Sequence, residues 1–250
     1  MTDIQNHEEL IVDTAKENQE ESKTNKSSDT KITFSKVFIL FIFGSLIGVV
    51  IEGVWCLIAK GHWETHVVSM WGDFCILYGF GAAGCYVGNA YLKNQKLIVK
   101  FLMYLVVGSV IEIICGALLE YGLGMRAWNY ENSFLNFKGY TSLGMSVMWG
   151  VLGVTFGFLW PLYDKLMLKL QSKALDIVCG ILSIFMLINI SFALVCIFRW
   201  SERHNGEKPS NKIEKMIDKK YDDEFMKNRF MEWQFLDDLD KKDTEDNKKD

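Results

Sequence analysis

Two glutamates sit inside apolar runs in nearly the same phrase, GVVIE at residues 48–52 and GSVIE at 108–112. A carboxylate in the middle of a lipid-spanning helix costs on the order of 2.5–3.5 kcal/mol on insertion scales, so one that is kept there is protonated, paired, or wetted by a cavity. No lysine or arginine lies within the apolar runs to pair with Glu52 or Glu112. If the two acids face each other they repel, and a shared proton or a bound cation would relieve the repulsion. The alternative is a protonated glutamate on a backbone carbonyl or a tyrosine, holding two helices together. On the first reading both residues are candidates for binding a substrate or an ion.

The segment EYGLGMRAWNYE, residues 120–131, is the next densest in polar chemistry. Arg126 can pair with Glu120 or Glu131 at the membrane edge, while Trp128 and Tyr130 have the amphipathic rings that favour an interface. His62 and His66 stand four residues apart with Glu64 and Asp73 nearby, a spacing that would serve a metal on a helix. The fuller ligand set of such sites is missing, and no metal is assigned. The six cysteines, Cys56, Cys75, Cys85, Cys115, Cys179 and Cys196, lie in or beside apolar runs without a CxxC pair. They read as small buried apolar residues. The phosphate loop GxxxxGK[ST], the GxSxG elbow and the HExxH pair are all absent. Neither an enzyme nor a cofactor is expected, nor a nucleic-acid partner, and any ATP-driven step would need a separate ATPase subunit. A homo-oligomer is left open.

The elements that must position these groups follow from charge segregation. Residues 1–36 carry five lysines and eight acids, residues 201–250 twelve basic and fifteen acidic groups, and the 164 residues between them only ten basic and eight acidic, which makes the middle the membrane part. Five apolar stretches, about 37–59, 74–92, 101–119, 143–163 and 177–198, approach the roughly 20 residues that a helix needs to cross a hydrocarbon core of about 30 Å. Lipid offers no partner to unpaired backbone groups and the strands of a barrel would alternate in polarity, so the fold class is all-α, a polytopic membrane helical bundle with five transmembrane helices. The polar start lacks the apolar core of a signal peptide and reads as a disordered tail, residues 1–36. Residues 201–250 form a charged tail in which Ile213, Met216, Ile217, Tyr221, Phe225, Phe230, Trp233 and Leu236 recur at near-helical spacing. That amphipathic helix packs against the membrane domain or the lipid surface, or docks a partner. Ten lysines flank one side of the spans against three basic residues in the opposite loops, which puts the N-terminus in the cytoplasm; Arg199, Arg203, Lys208, Lys212 and Lys215 after the last span oppose that placement.

Aligning Glu52 with Glu112 superposes Gly48 on Gly108, Val50 on Val110 and Ile51 on Ile111, and each copy then passes through a tryptophan-bearing loop to an aromatic-Gly pair, Tyr78-Gly79 or Trp149-Gly150. The implied unit is a two-helix hairpin used twice in the same orientation, as in transporters whose sites lie where parallel repeats meet. Small and polar residues recur every four positions: Gly44, Gly48, Glu52 and Cys56, then Gly108, Glu112, Gly116 and Glu120. A step of four follows one face of a helix, so both glutamates should turn inward. Gly150 and Gly153 in the fourth span join Gly44, Gly48, Gly108 and Gly116 as positions for close helix packing.

The early-span Glu52, ILYGFGA at 76–82, Glu112 with LLE at 118–120, RxWNY at 126–130 and SxxWGxxG at 146–153 together resemble the type IV, CmpB-like ABC transporter permeases of bacterial membranes. The resemblance covers about residues 37–165. It implies a small bacterial membrane protein with a transport role. The residues themselves suggest a permease whose two hairpins enclose a polar site built from Glu52 and Glu112, with Tyr78 a further binding candidate and Glu120, Arg126, Trp128 and Tyr130 at its outer mouth. Three positions depart from the family pattern: Asn129 stands where an acid is usual, Tyr140 where a basic residue is usual, and Trp71-Gly72-Asp73 lacks a Gly-Pro.

Overall fold

The computed structural model describes residues 31–239, so most of the expected disordered tail, residues 1–36, lies outside it; of its described end, residues 34–36 instead open the first helix, with Ser35 and Lys36 buried. Five helices carry the membrane part: α1 (Phe34–Lys60), α2 (Ile76–Tyr91), α3 (Leu97–Leu123), α4 (Leu143–Leu170) and α5 (Lys173–His204). After α5 come two short helices, α6 (Lys212–Lys220) and α7 (Asp223–Arg229). A two-stranded antiparallel ladder joins β1 (Met125–Arg126) to β2 (Gln234–Phe235), with Met125 opposite Phe235. Polar caps start the helices that follow loops: Ser142 accepts from the Met145 amide, Ser172 from Leu175, Asn211 from Ile213 and Glu214, and Asp222 from Phe225.

Four of these helices, α1, α3, α4 and α5, have the length and apolarity to cross a membrane. The expected second span is shorter than the sequence suggests, because α2 has 16 residues and so rises only about 24 Å. Residues 61–75, which precede it, form neither helix nor strand. The Cys75 amide at the head of α2 donates to Ser45 O, far down α1, so residues 61–75 descend beside the last turns of α1 before the helix begins. Irregular backbone at such depth is tolerated only where protein surrounds it. Asn189, fully buried in the middle of α5, supplies the partners: its Oδ1 accepts from the Met70 and Trp71 amides at 3.0 Å and its Nδ2 donates to Trp71 O at 2.7 Å.

Within the bundle α1 packs on α2, α2 on α4, α4 on α3, and α5 on α1. The two hairpins, α1 with α2 and α3 with α4, are built on equivalent contacts. A Cβ at Gly48 would stand 2.5 Å from the Tyr78 ring, and one at Gly108 would collide with the Trp149 ring in the same way. Gly79 lies against Phe41, and Gly150 against Phe101, a pair related by the same sixty-residue shift as the glutamates. One equivalent contact exchanges large for small: Gly44 meets Ala82 in the first hairpin, whereas Tyr104 meets Gly153 in the second. The tandem repeat is therefore visible as a packing code along both seams. On the glutamate helices Val50, Ile51, Val54, Val110, Ile111 and Ile114 point away from the seams and are exposed, an apolar surface far larger than water tolerates on a lone protein and suited to lipid. The protein is a multi-pass helical membrane protein.

Near the start of α1 the interior holds an ion pair that the sequence reading passed over. Lys36, 2% exposed, donates to Asp164 of α4 at 2.9 Å, and Tyr86 of α2 donates to the same carboxylate oxygen at 2.9 Å. The helices outrun their apolar runs, so these charges fall inside helices rather than in the flanks.

The opposite face carries a folded cap. Ile217, Tyr221, Met226, Phe230, Trp233 and Phe235 bury themselves against Trp200 and Ile197 of α5, Leu123 of α3 and Met125 of β1. Ser201 donates to Leu123 O at 2.8 Å, and the Leu236 amide to Gly124 O at 3.0 Å. Arg199 grips Asp218 with two parallel hydrogen bonds of 2.9 Å and Arg203 adds a third at 2.8 Å. Arg229 ties the cap to the descending segment through Ser69 O, Gly72 O and Asp73. The apolar stripe of the C-terminal tail thus packs on the chain's own membrane domain. The basic residues that opposed an outer placement are partly engaged, since Arg199 and Arg203 face Asp218, Glu202 and Asp223.

Arg199 and Arg203 hold the Asp218 carboxyl below its ordinary value of 3.8, against a smaller opposing effect of burial. A carboxylate lowered on docking stabilises the docked cap above its undocked pKa and loses that contribution as pH falls through the docked value. With spin labels at the exposed positions Met216 and Leu135, a single narrow distance is expected at pH 6 and a broad one at pH 3. Asp218→Asn should already broaden it at pH 6; a distribution unchanged in that variant would mean the pair does not hold the cap.

Candidate functional site

The glycine seams decide where the glutamates lie. Tyr78 fills the cleft at Gly48, about one helical turn along α1 from Glu52, so a ring from the first turn of α2 lies beside that acid. In the second hairpin Tyr140 packs on Gly116 and Trp149 on Gly108, so α4 begins at the depth of Glu112. Each glutamate therefore meets a hydroxyl at or just before the start of its partner helix. Glu52 accepts from the hydroxyl of Tyr78, in the first turn of α2. Glu112, 3% exposed, accepts from Thr141 Oγ1 at 2.6 Å, immediately before the Ser142 cap of α4. Gly44, Gly48, Glu52 and Cys56 are buried or half-buried, as are Gly108, Glu112, Gly116 and Glu120, so each stripe of four turns inward.

The carboxyls are not each other's partners. Helices α1 and α3 are separated by the inner pair α2 and α4, and each acid has its own hydroxyl donor. Tyr130 is half-buried, and its phenol is pushed well above the ordinary tyrosine value, chiefly by burial and to a smaller degree by the charges of Glu112 and Glu52. The hydroxyl stays protonated and can donate to an anionic group. Trp149 also lies beside Glu112, with its buried indole N–H turned to that carboxyl.

The loop that delivers Tyr130 is tightly braced. Gly124 ends α3 in the left-handed region at φ +63, and Gly139 turns the chain back at φ +73. Arg126 donates to Glu120 at 2.9 Å and to Glu131 at 2.7 Å, engaging both acids that the sequence offered, and it holds the Glu131 carboxyl below its usual range. Trp128 Nε1 donates to Tyr140 O at 2.8 Å, and Asn129 to Glu131 at 3.1 Å. Asn129 and Tyr140, where the family pattern has an acid and a base, are both used inside the loop. Glu120, Arg126 and Trp128 thus build the loop between α3 and α4, while Tyr78 is bonded to Glu52.

His62 and His66 do not lie on a helix, so their spacing carries no helical meaning; Asp73 is held by Arg229 instead. Sequence reasoning missed Thr141, Asn189 and the Lys36–Asp164 pair. Thr141 had a readable signal, since it directly precedes a serine cap, whereas Asn189 stands alone in an apolar run and only the fold gives it partners.

Compared with known proteins, residues 39–194 match the sequence profile of the family described as "Putative ABC-transporter type IV". No curated protein and no solved structure matches the chain.

Replacing Thr141 by valine removes the hydroxyl from a buried carboxyl and should cost about 1–3 kcal/mol, the price of an unsatisfied buried polar group. Thr141→Ser should recover most of it. Thermal unfolding in detergent reads the difference; valine and wild type melting together would show that Thr141 does not support Glu112.

Proposed function

From the chain's membership of the type IV ABC-transporter family, whose profile spans more than half of it, we propose that this protein is the membrane-embedded permease subunit of an ABC-type system. A separate ATPase supplies the energy, because the sequence has no GxxxxGK[ST] loop. The chain carries a solute rather than transforming it, and is not an enzyme. The observation that supports this reading most directly is the placement of Glu52 and Glu112 at equivalent seams of two parallel hairpins, each accepting from a hydroxyl at or just before the start of its partner helix. Discontinuous crossings whose half-helix ends point at a polar site are a recurring device of transporters. The segment before α2, whose Cys75 amide donates to Ser45 O, is read here as part of such a crossing. We place the lysine-rich face in the cytoplasm, where the ATPase would dock, and the cap outside. A scaffold role through the C-terminal helix has less support, because the apolar face it would need is buried against α5 and β1.

Tagged full-length protein, extracted in mild detergent from the membranes of its own cells, should carry with it an ATP-hydrolysing subunit. Proteoliposomes of that complex should accumulate a solute from a metabolite extract in an ATP-dependent manner. Glu112→Gln should keep the partner and lose accumulation at least tenfold. Extraction without any ATPase, or undiminished accumulation by the variant, would contradict the reading.

A further inference from the structure

The end of α1 and the segment that follows it bring together side chains that neither the sequence spacing nor the permease reading accounts for. Gly61, at φ +78, reverses the chain, and residues 62–66 run back along the helix they have just left. Trp63 packs on Gly53 so closely that no Cβ would fit there, which fixes the segment against α1. Three ligand-type atoms then converge: Cys56 Sγ lies 3.3 Å from His66 Nε2 and 3.5 Å from Glu64 Oε2, and those last two lie 3.7 Å apart. Ligand atoms on a tetrahedral zinc, with bonds of about 2.0–2.3 Å, stand roughly 3.3–3.6 Å from one another. The triangle already has the size of one face of that tetrahedron.

The surroundings fit the same purpose. His66 turns Nε2 to the cluster and Nδ1 to Glu52 Oε2, 3.9 Å away, and Glu52 in turn accepts from Tyr78. A carboxylate behind the second ring nitrogen is the usual way a metal-binding histidine is held in the right tautomer and orientation. Glu64 uses its other oxygen, Oε1, on His62 Nε2 at 2.9 Å. Cys56 is 1% exposed, while His62 reaches solvent. We propose that Cys56, Glu64 and His66 bind one divalent ion of the zinc class, with the fourth position taken by His62 or solvent and with Glu52 orienting His66. Sulfur and imidazole donors favour such an ion over magnesium or calcium. The ion pins the descending segment to α1 and so secures the first half of the discontinuous crossing. Glu52 is shared with the permease reading, but ion binding is measured without transport, and either can fail alone.

Full-length protein in detergent, stripped with a chelator, is titrated with Co²⁺ and then with Zn²⁺. One equivalent of cobalt should produce thiolate-to-metal charge transfer together with the visible bands of tetrahedral cobalt, and zinc, not magnesium, should displace them. Cys56→Ser should abolish the charge transfer and weaken binding at least tenfold. Glu64→Gln, which lies on the segment and leaves α1 intact, should weaken binding to the same degree, so the test does not depend on one variant folding. Glu52→Gln should keep the charge transfer and weaken binding about 10–100-fold, as loss of a supporting carboxylate does. Folded wild-type protein that takes up no stoichiometric cobalt, charge transfer that survives Cys56→Ser, or Glu64→Gln that binds as wild type would overturn the proposal.

Discussion

Close approach of two helices at a glycine is the constraint on which the rest of this molecule depends. In each hairpin one ring lies where a side chain on the neighbouring helix would be, Tyr78 at Gly48 and Trp149 at Gly108. Lipid provides no hydrophobic drive for helices to associate, so packing of this kind, with small residues against large ones, must hold the bundle. The same contact fixes depth. It sets the first turn of the second helix beside the glutamate four residues beyond the glycine, and gives that acid a hydroxyl from the neighbouring element.

A second helix that begins so deep leaves the outer part of each hairpin to irregular chain, whose amides and carbonyls still need partners. Asn189 serves residues 70 and 71, Arg229 serves residues 69 and 72, and the Arg126 pairs brace the loop between α3 and α4. The cap follows from this need. Its apolar face covers the ends of α3 and α5, and its arginine–aspartate cluster locks it there. The C-terminal tail is thus an integral layer of the membrane domain.

Much of the architecture was legible because apolar length and charge segregation are strong signals. The inward turn of Glu52 and Glu112 could be read from period-four glycines, and the repeat from two short phrases. Three features could not be read. The shortness of α2 is hidden because residues 74 and 75 are as apolar as the helix they precede, and only the hydrogen bond from Cys75 to Ser45 shows where the helix starts. Whether the two carboxyls face each other was open in the sequence, and the inner helices separate their carriers, a matter of neighbour order that periodicity does not encode. Cys56 looked like one more small apolar residue, and its polar company comes from a loop that folds back over it.

The seam itself can be tested by exchange. Gly108→Leu should abolish the folded state or lower its melting temperature steeply, and Trp149→Gly should open a void in the same place. If the seam sets the fold, the double variant Gly108→Leu/Trp149→Gly should melt well above the sum of the two losses, because the new side chain fills the space the ring has left. Losses in detergent that simply add would contradict the account.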